Sequence, residues 1–162
     1  MFYNYFIYLF KDAEKGYFEL FDKQNLQDLL CKKEVIFKDD AYSMVRVEKS
    51  DLKNTCGGND KIESMKICGL YANTDIRLYD HDTPPTTADE SYTKSYLKVT
   101  VKKDMGSRCE DISSLEKKID TEYVLAERPN GGDLNGKISS YAYFKGILVL
   151  CNKTLILNIS DY

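Results

Sequence analysis

The chain contains one histidine, His81, and it stands between two acids in Asp80-His81-Asp82. An imidazole in such company could shuttle protons or bind a metal. A metal site needs ligands that converge on one ion. Neighbouring residues on an extended backbone point to opposite sides, so Asp80 and Asp82 share a side that His81 does not. No second histidine exists to join them, and no metal is expected here.

A catalytic histidine needs a nucleophile. Cys56-Gly57-Gly58 offers a thiol followed by amides that could hold an oxyanion. The same glycines suit a turn, and nothing in the sequence brings Cys56 to His81. An enzyme of unfamiliar type would need Cys56, His81 or two carboxylates to meet in a cleft. With 26 acids in the chain, paired carboxylates identify no hydrolase. Catalysis is not expected, and no cofactor is called for.

Gly131-Gly-Asp-Leu-Asn-Gly136-Lys137 has the spacing G-x-x-x-x-G-K of a phosphate-binding loop. That loop requires a Ser or Thr next and then a helix whose amino end faces the phosphates. Ile138 stands there instead, and the aromatic alternation of KISSYAYF reads as a strand. A turn leading into a strand is the expectation.

The five cysteines, 31, 56, 68, 109 and 151, form no CxxC pair and no Cys/His cluster. Neither a zinc site nor a dense disulfide scaffold follows. They read as buried or free thiols, and the chain as cytoplasmic. The net charge of −3 argues against a nucleic-acid partner. The apolar start MFYNYFIYLF lacks a basic flank and a small-residue cleavage site, so it does not read as a signal peptide. No run is long enough to span a membrane as a helix.

These residues must be held by short elements. The 162 residues fit one globular domain, 1–162. No internal repeat is apparent. Strands are expected over 2–10, 17–21, 35–38, 42–48, 65–71, 75–79, 97–102, 122–126, 138–144, 147–151 and 154–159, with the first two forming a hairpin. Leu26, Leu29 and Leu30 have helical spacing after Asp22, a plausible N-cap. A second helix is expected from the capping box Ser107-Arg-Cys-Glu110, with Ile112, Leu115 and Ile119 as its stripe. Residues 50 to 64 read as loop. The fold class is α+β, a mainly antiparallel, curved sheet of about ten short strands with two helices.

One segment remains as a functional candidate. Between Leu78 and Thr93 there is no Lys or Arg, while Asp80, Asp82, Asp89 and Glu90 supply negative charge. Pro84-Pro85 stiffens this loop, and Tyr79 and Tyr92 flank it. Such a loop could meet a basic surface or active-site cleft on another protein. The reading is a non-enzymatic, protein-binding inhibitor with the character of immunity proteins, antitoxins or phage inhibitors. Its contact residues are Tyr79, Asp80, Asp82, Asp89, Glu90 and Tyr92. The alternative is a barrel-like carrier that encloses a small apolar ligand.

Overall fold

Phe18 and Leu20 are buried and Glu19 between them is half-buried, the alternation of a strand that turns one face to the core. Around Ile76 and Leu78 every residue from 74 to 79 is buried, the mark of a strand covered on both faces. The computed structural model describes residues 16–36, 44–57, 60–86, 94–134 and 136–145. Their elements are β1 Tyr17–Lys23, β2 Gln27–Glu34, β3 Val45–Val47, α1 Lys49–Cys56, β4 Ser64–Cys68, β5 Thr74–Tyr79, β6 Tyr96–Val101, β7 Cys109–Ile112, β8 Ile119–Asp120, β9 Val124–Glu127 and β10 Ser140–Lys145. The four-stranded sheet has the order β2-β1-β4-β7, and the six-stranded sheet β3-β10-β5-β6-β9-β8. Every pairing is antiparallel.

The α+β, mainly antiparallel class is therefore present, as two sheets and one α-helix. Neither expected helix forms. Residues 24–26 make a 3-10 turn with Asn25 and Leu26 in left-handed backbone, and β2 follows. Leu29 and Leu30 owe their spacing to a bulge, where the register slips from Leu20↔Cys31 to Phe21↔Leu29. Leu29 is 55% exposed. The capping-box segment pairs instead as β7, Met65↔Ile112 through Cys68↔Cys109, because its ladder with β4 satisfies the backbone that a helix would have satisfied. The helix that does form, α1, lies in the segment expected to be loop. Only Leu52 and Cys56 are buried on it, and Gly57 ends it in left-handed backbone, its N–H bonding Lys53 O. Residues 136–137 are a turn before β10, so the phosphate-loop spacing leads into a strand. The strands expected over 2–10, 147–151 and 154–159 lie outside the described residues.

The sheets meet through β1 and β10. The Phe18 ring stands edge-on to Tyr141 at 5.3 Å and Tyr143 at 6.4 Å between centroids. Leu20, Met65, Ile76, Leu78, Leu97 and Val99 are fully buried around them. On the far face of the six-stranded sheet the Tyr79 and Tyr96 rings stack at 5.6 Å. Arg77 is buried there between Tyr96 and Phe144, with its guanidinium 3.9 Å from the Asp75 carboxylate. Asp75 also accepts a hydrogen bond from the Thr100 hydroxyl at 2.6 Å.

The register discloses a repeat that the sequence alone did not suggest. Phe21 pairs with Ser64 as Tyr79 pairs with Ser140. Glu63 N–H donates to Phe21 O as Ser139 N–H donates to Tyr79 O. The Ser64 hydroxyl donates to Lys23 O as the Ser140 hydroxyl donates to His81 O, both at 2.5 Å. The described residues thus contain two repeats, β1-β2-β3-β4 and β5-β6-β7-β10, the second with the paired strands β8 and β9 inserted before β10. Each repeat is a Greek key whose third strand has crossed to the other sheet: β3 pairs with β10, and β7 pairs with β4. Aligned in this way, Phe18-Glu-Leu-Phe-Asp-Lys23 matches Ile76-Arg-Leu-Tyr-Asp-His81, and Asp60-Lys-Ile-Glu-Ser64 matches Gly136-Lys-Ile-Ser-Ser140. Asp60 and Gly136, at equivalent places, both have left-handed backbone, φ 59° and 63°. That conformation is routine for Gly and tolerated by Asp, which accounts for the residue types at this turn.

Four of the cysteines are paired, which corrects the expectation of free thiols. Cys31 of β2 is bonded to Cys56 at the end of α1, and Cys68 of β4 to Cys109 of β7. Cys68 and Cys109 are register partners. The Gly69 N–H donates to Arg108 O just beyond them, so they occupy a non-hydrogen-bonded pair, the kind that brings side chains closest. Each segment that crosses between sheets is in this way tied to the four-stranded one. Cys151 lies outside the described residues.

Candidate functional site

The segment 80–86 leaves the sheet at the end of β5 and lies against β3 and the start of α1. Three contacts hold its backbone, and a fourth, from Ser139, holds Tyr79 where the segment leaves β5. Arg46 donates to Pro84 O at 2.6 Å, Lys49 N–H donates to Asp82 O at 2.9 Å, and Ser139 N–H and the Ser140 hydroxyl take Tyr79 O and His81 O. Within the loop, Asp82 N–H donates to His81 Nδ1 at 2.8 Å. Pro84 is buried and Pro85 half-buried. The loop is therefore a fixed shape on the surface, with proline and hydrogen bonds restricting the same residues.

The expected contact residues separate. Tyr79 is fully buried against Tyr96, because it falls on the covered face of β5, so its side chain supports the loop from inside and offers a partner no surface. Asp80 is half-buried and Asp82 exposed, both at the loop surface. Asp89, Glu90 and Tyr92 lie outside the described residues. The Asp82 carboxylate is 3.0 Å from Lys49 Nζ, and this bond holds the Lys49 ammonium above its ordinary pKa. Part of the loop's negative charge is thereby matched by a cation that sequence distance hid. Glu48 and Asp51, within two residues of Lys49 in the chain, are exposed.

Two other sequence candidates change their meaning. Cys56 is buried in a disulfide and is no nucleophile in this state. His81 is half-buried, with Nδ1 engaged by its neighbour's amide. Among the described residues no group of three or more His, Cys, Asp or Glu could hold a metal ion, and no helix is long and apolar enough to cross a membrane.

The residues that sequence reasoning missed are those of the frame: Arg46, Lys49, Ser139 and Ser140. Arg46 and Lys49 carry no local pattern that announces the role. Ser140 does, through its equivalence to Ser64, whose hydroxyl donates to Lys23 O and accepts from Leu26 N–H at 3.1 Å. Both hydroxyls are fully buried. Replacing Ser140 or Ser64 with Ala leaves a carbonyl without its partner. Each substitution is expected to cost about 1–2 kcal/mol in a urea titration. Ser64→Ala, which also leaves the Leu26 N–H without its acceptor, is expected to be the costlier of the two; a neutral Ser140→Ala would break the equivalence.

A second contact joins the two repeats near the same end of the molecule. The Ser139 hydroxyl donates to Asp60 Oδ1 at 2.7 Å, and Asp60 N–H donates to Ile138 O at 2.8 Å. Further along, the loop after β9 is fixed by Glu116, which takes Arg128 at 2.7 Å and Leu134 N–H at 2.7 Å.

No family model matches the sequence, and no curated protein matches it. Among solved structures the chain is similar to a W39D mutant of a βγ-crystallin domain from Clostridium beijerinckii. The identity is 12% and the TM-score 0.36, over 82% of this chain and 99% of that one. A likeness of that degree assigns neither family nor function.

Proposed function

We propose that the chain works by binding another protein, as a non-enzymatic inhibitor of a partner with a basic surface or cleft. The observation that carries the reading is the fixed loop 80–86. Its backbone is anchored by Arg46, Lys49 and Ser140, so little conformational freedom is lost when a partner docks. In this reading Asp80 on the loop, with the exposed Glu48 and Asp51 that lie within two residues of Lys49, makes the acidic contact. Complementary charge of this kind speeds encounter and selects partners. Tyr79 belongs to the support.

The carrier alternative requires space between the sheets, where Phe18 stands against Tyr141, and is the less favoured reading. As to location, two disulfides favour an oxidising compartment over the cytoplasm read from the cysteine pattern.

The test is a pull-down from an extract of the native source with the oxidised protein as bait, alongside the charge-reversed variant Glu48→Lys, Asp51→Lys, Asp80→Lys. A partner retained by the wild type and lost by at least tenfold with the variant, with association slowed more than dissociation is quickened, supports the reading. Failure to recover any protein, or equal retention by both baits, overturns it.

A further inference from the structure

The two disulfides differ in kind. Cys31–Cys56 closes within the first repeat, whereas Cys68–Cys109 joins the first repeat to the second. The second bond records which copy of β7 completed β4. The repeats are held together by β4–β7 and β10–β3 pairing, by the Asp60–Ser139 contact, and by backbone bonds from Asn25 to Ser113 and from Leu115 to Glu63. Every one of these uses groups that would be presented identically by the second repeat of another molecule. The covalent link between repeats is short. It runs from Gly69 to Asn73 and turns back through left-handed backbone at both ends, φ 65° and 64°. A short connection folded on itself, between two units that complete each other's sheets, is the arrangement that permits exchange between copies.

We propose that the two repeats can be exchanged between two copies of this chain, giving a closed two-fold dimer in which β7 of each copy pairs with β4 of the other. The occupant of each repeat's interface is then a second copy, and the Cys68–Cys109 disulfide commits a chain to the monomer or the dimer. Once oxidised, either form is trapped. In a glutathione buffer the closing reaction consumes one oxidised glutathione per bond. The Cys68 and Cys109 thiols give up two protons and two electrons, and two reduced glutathiones are released.

The experiment uses the full chain. Unlabelled and uniformly 15N-labelled protein are unfolded, reduced, mixed in equal amounts and refolded in a glutathione redox buffer, once dilute and once concentrated. Monomer and dimer fractions are separated by size exclusion and digested without reduction, and the disulfide-linked peptides are weighed. The expected result is a dimer fraction that grows with concentration. In it roughly half of the Cys68–Cys109 peptide pairs join a light to a heavy chain, while Cys31–Cys56 pairs stay within one chain in both fractions. Absence of a dimer at either concentration overturns the proposal. So does a dimer without mixed Cys68–Cys109 pairs, as one joined through Cys151 would be, or mixing at Cys31–Cys56 as well, which marks random cross-linking. The pairing is read on wild-type protein, so no variant has to fold for the result to count.

Discussion

Full reduction of the disulfides is expected to leave the protein unfolded, or close to it, at 37 °C. Cys31 and Cys56 close a span of 25 residues, and Cys68 and Cys109 one of 41. The chain-entropy relation assigns such loops about 3.5 and about 4 kcal/mol. The loops do not overlap, so their effects on the unfolded chain add to about 7 kcal/mol. A domain of ordinary stability has roughly 5–15 kcal/mol in total. The melting temperature followed by circular dichroism should therefore fall by about 15 °C or more once thiol counting shows both bonds open. The two bonds should not open together. Cys31 and Cys56 are both buried, whereas Cys109 lies exposed on the edge strand β7, so dithiothreitol should reach Cys68–Cys109 first. A melting temperature unchanged with all four thiols free would show that the cross-overs hold without them.

Phe18→Ala is expected to cost about 3–5 kcal/mol. Phe18 is fully buried in the centre of β1, and its ring is the piece of the first sheet that meets Tyr141 and Tyr143 of the second. Truncation removes that surface from the interior and leaves a space between two strands that are both fixed by ladders on either side. The neighbours therefore have little room to collapse inward, which puts the cost at the upper part of the range. Its counterpart in the second repeat, Ile76, is equally buried but smaller, and Ile76→Ala should cost about 2–4 kcal/mol. The measurement is the midpoint and slope of urea unfolding for both variants under oxidising conditions. A Phe18→Ala loss below about 1 kcal/mol would mean that the sheets are not joined through this ring.

The six-stranded sheet was largely legible from residue pattern. Leu97, Val99 and Val101 alternate with polar residues, and β6 covers them; the aromatic alternation before Lys145 is β10. The four-stranded sheet was legible only at its centre, where strands expected over 17–21 and 65–71 are β1 and β4. Its strands β2 and β7 are edges, with residues facing water on several sides, so they carry no clean period of two. In β2 a bulge placed leucines at helical intervals, and at the entry to β7 Ser107 and Glu110 imitated a helix start. Among the described residues the one α-helix, α1, gave almost no signal because two buried residues suffice to seat it. The disulfides were hidden for a different reason: their pairing follows from register across strands far apart in the chain. The acidic loop was legible as a stiff segment. What it rests on was not, since Arg46 and Lys49 approach from another part of the chain. The repeat was present in the letters all along, in FELFDK and IRLYDH, but too few identities mark it without the ladders to align them.

The exchanged third strands also set the order in which the molecule can fold as it leaves the ribosome. Met65 to Cys68 emerge with one edge bare and wait for Cys109 to Ile112. Val45 to Val47 wait far longer, until Tyr141 to Tyr143 have been made. No early segment can finish folding on its own, since loop closure over these separations must come before the contacts that reward it. The nascent chain therefore carries open strand edges through most of its synthesis. Chaperone demand and loss to aggregation should depend on how quickly β10, the partner of β3, arrives.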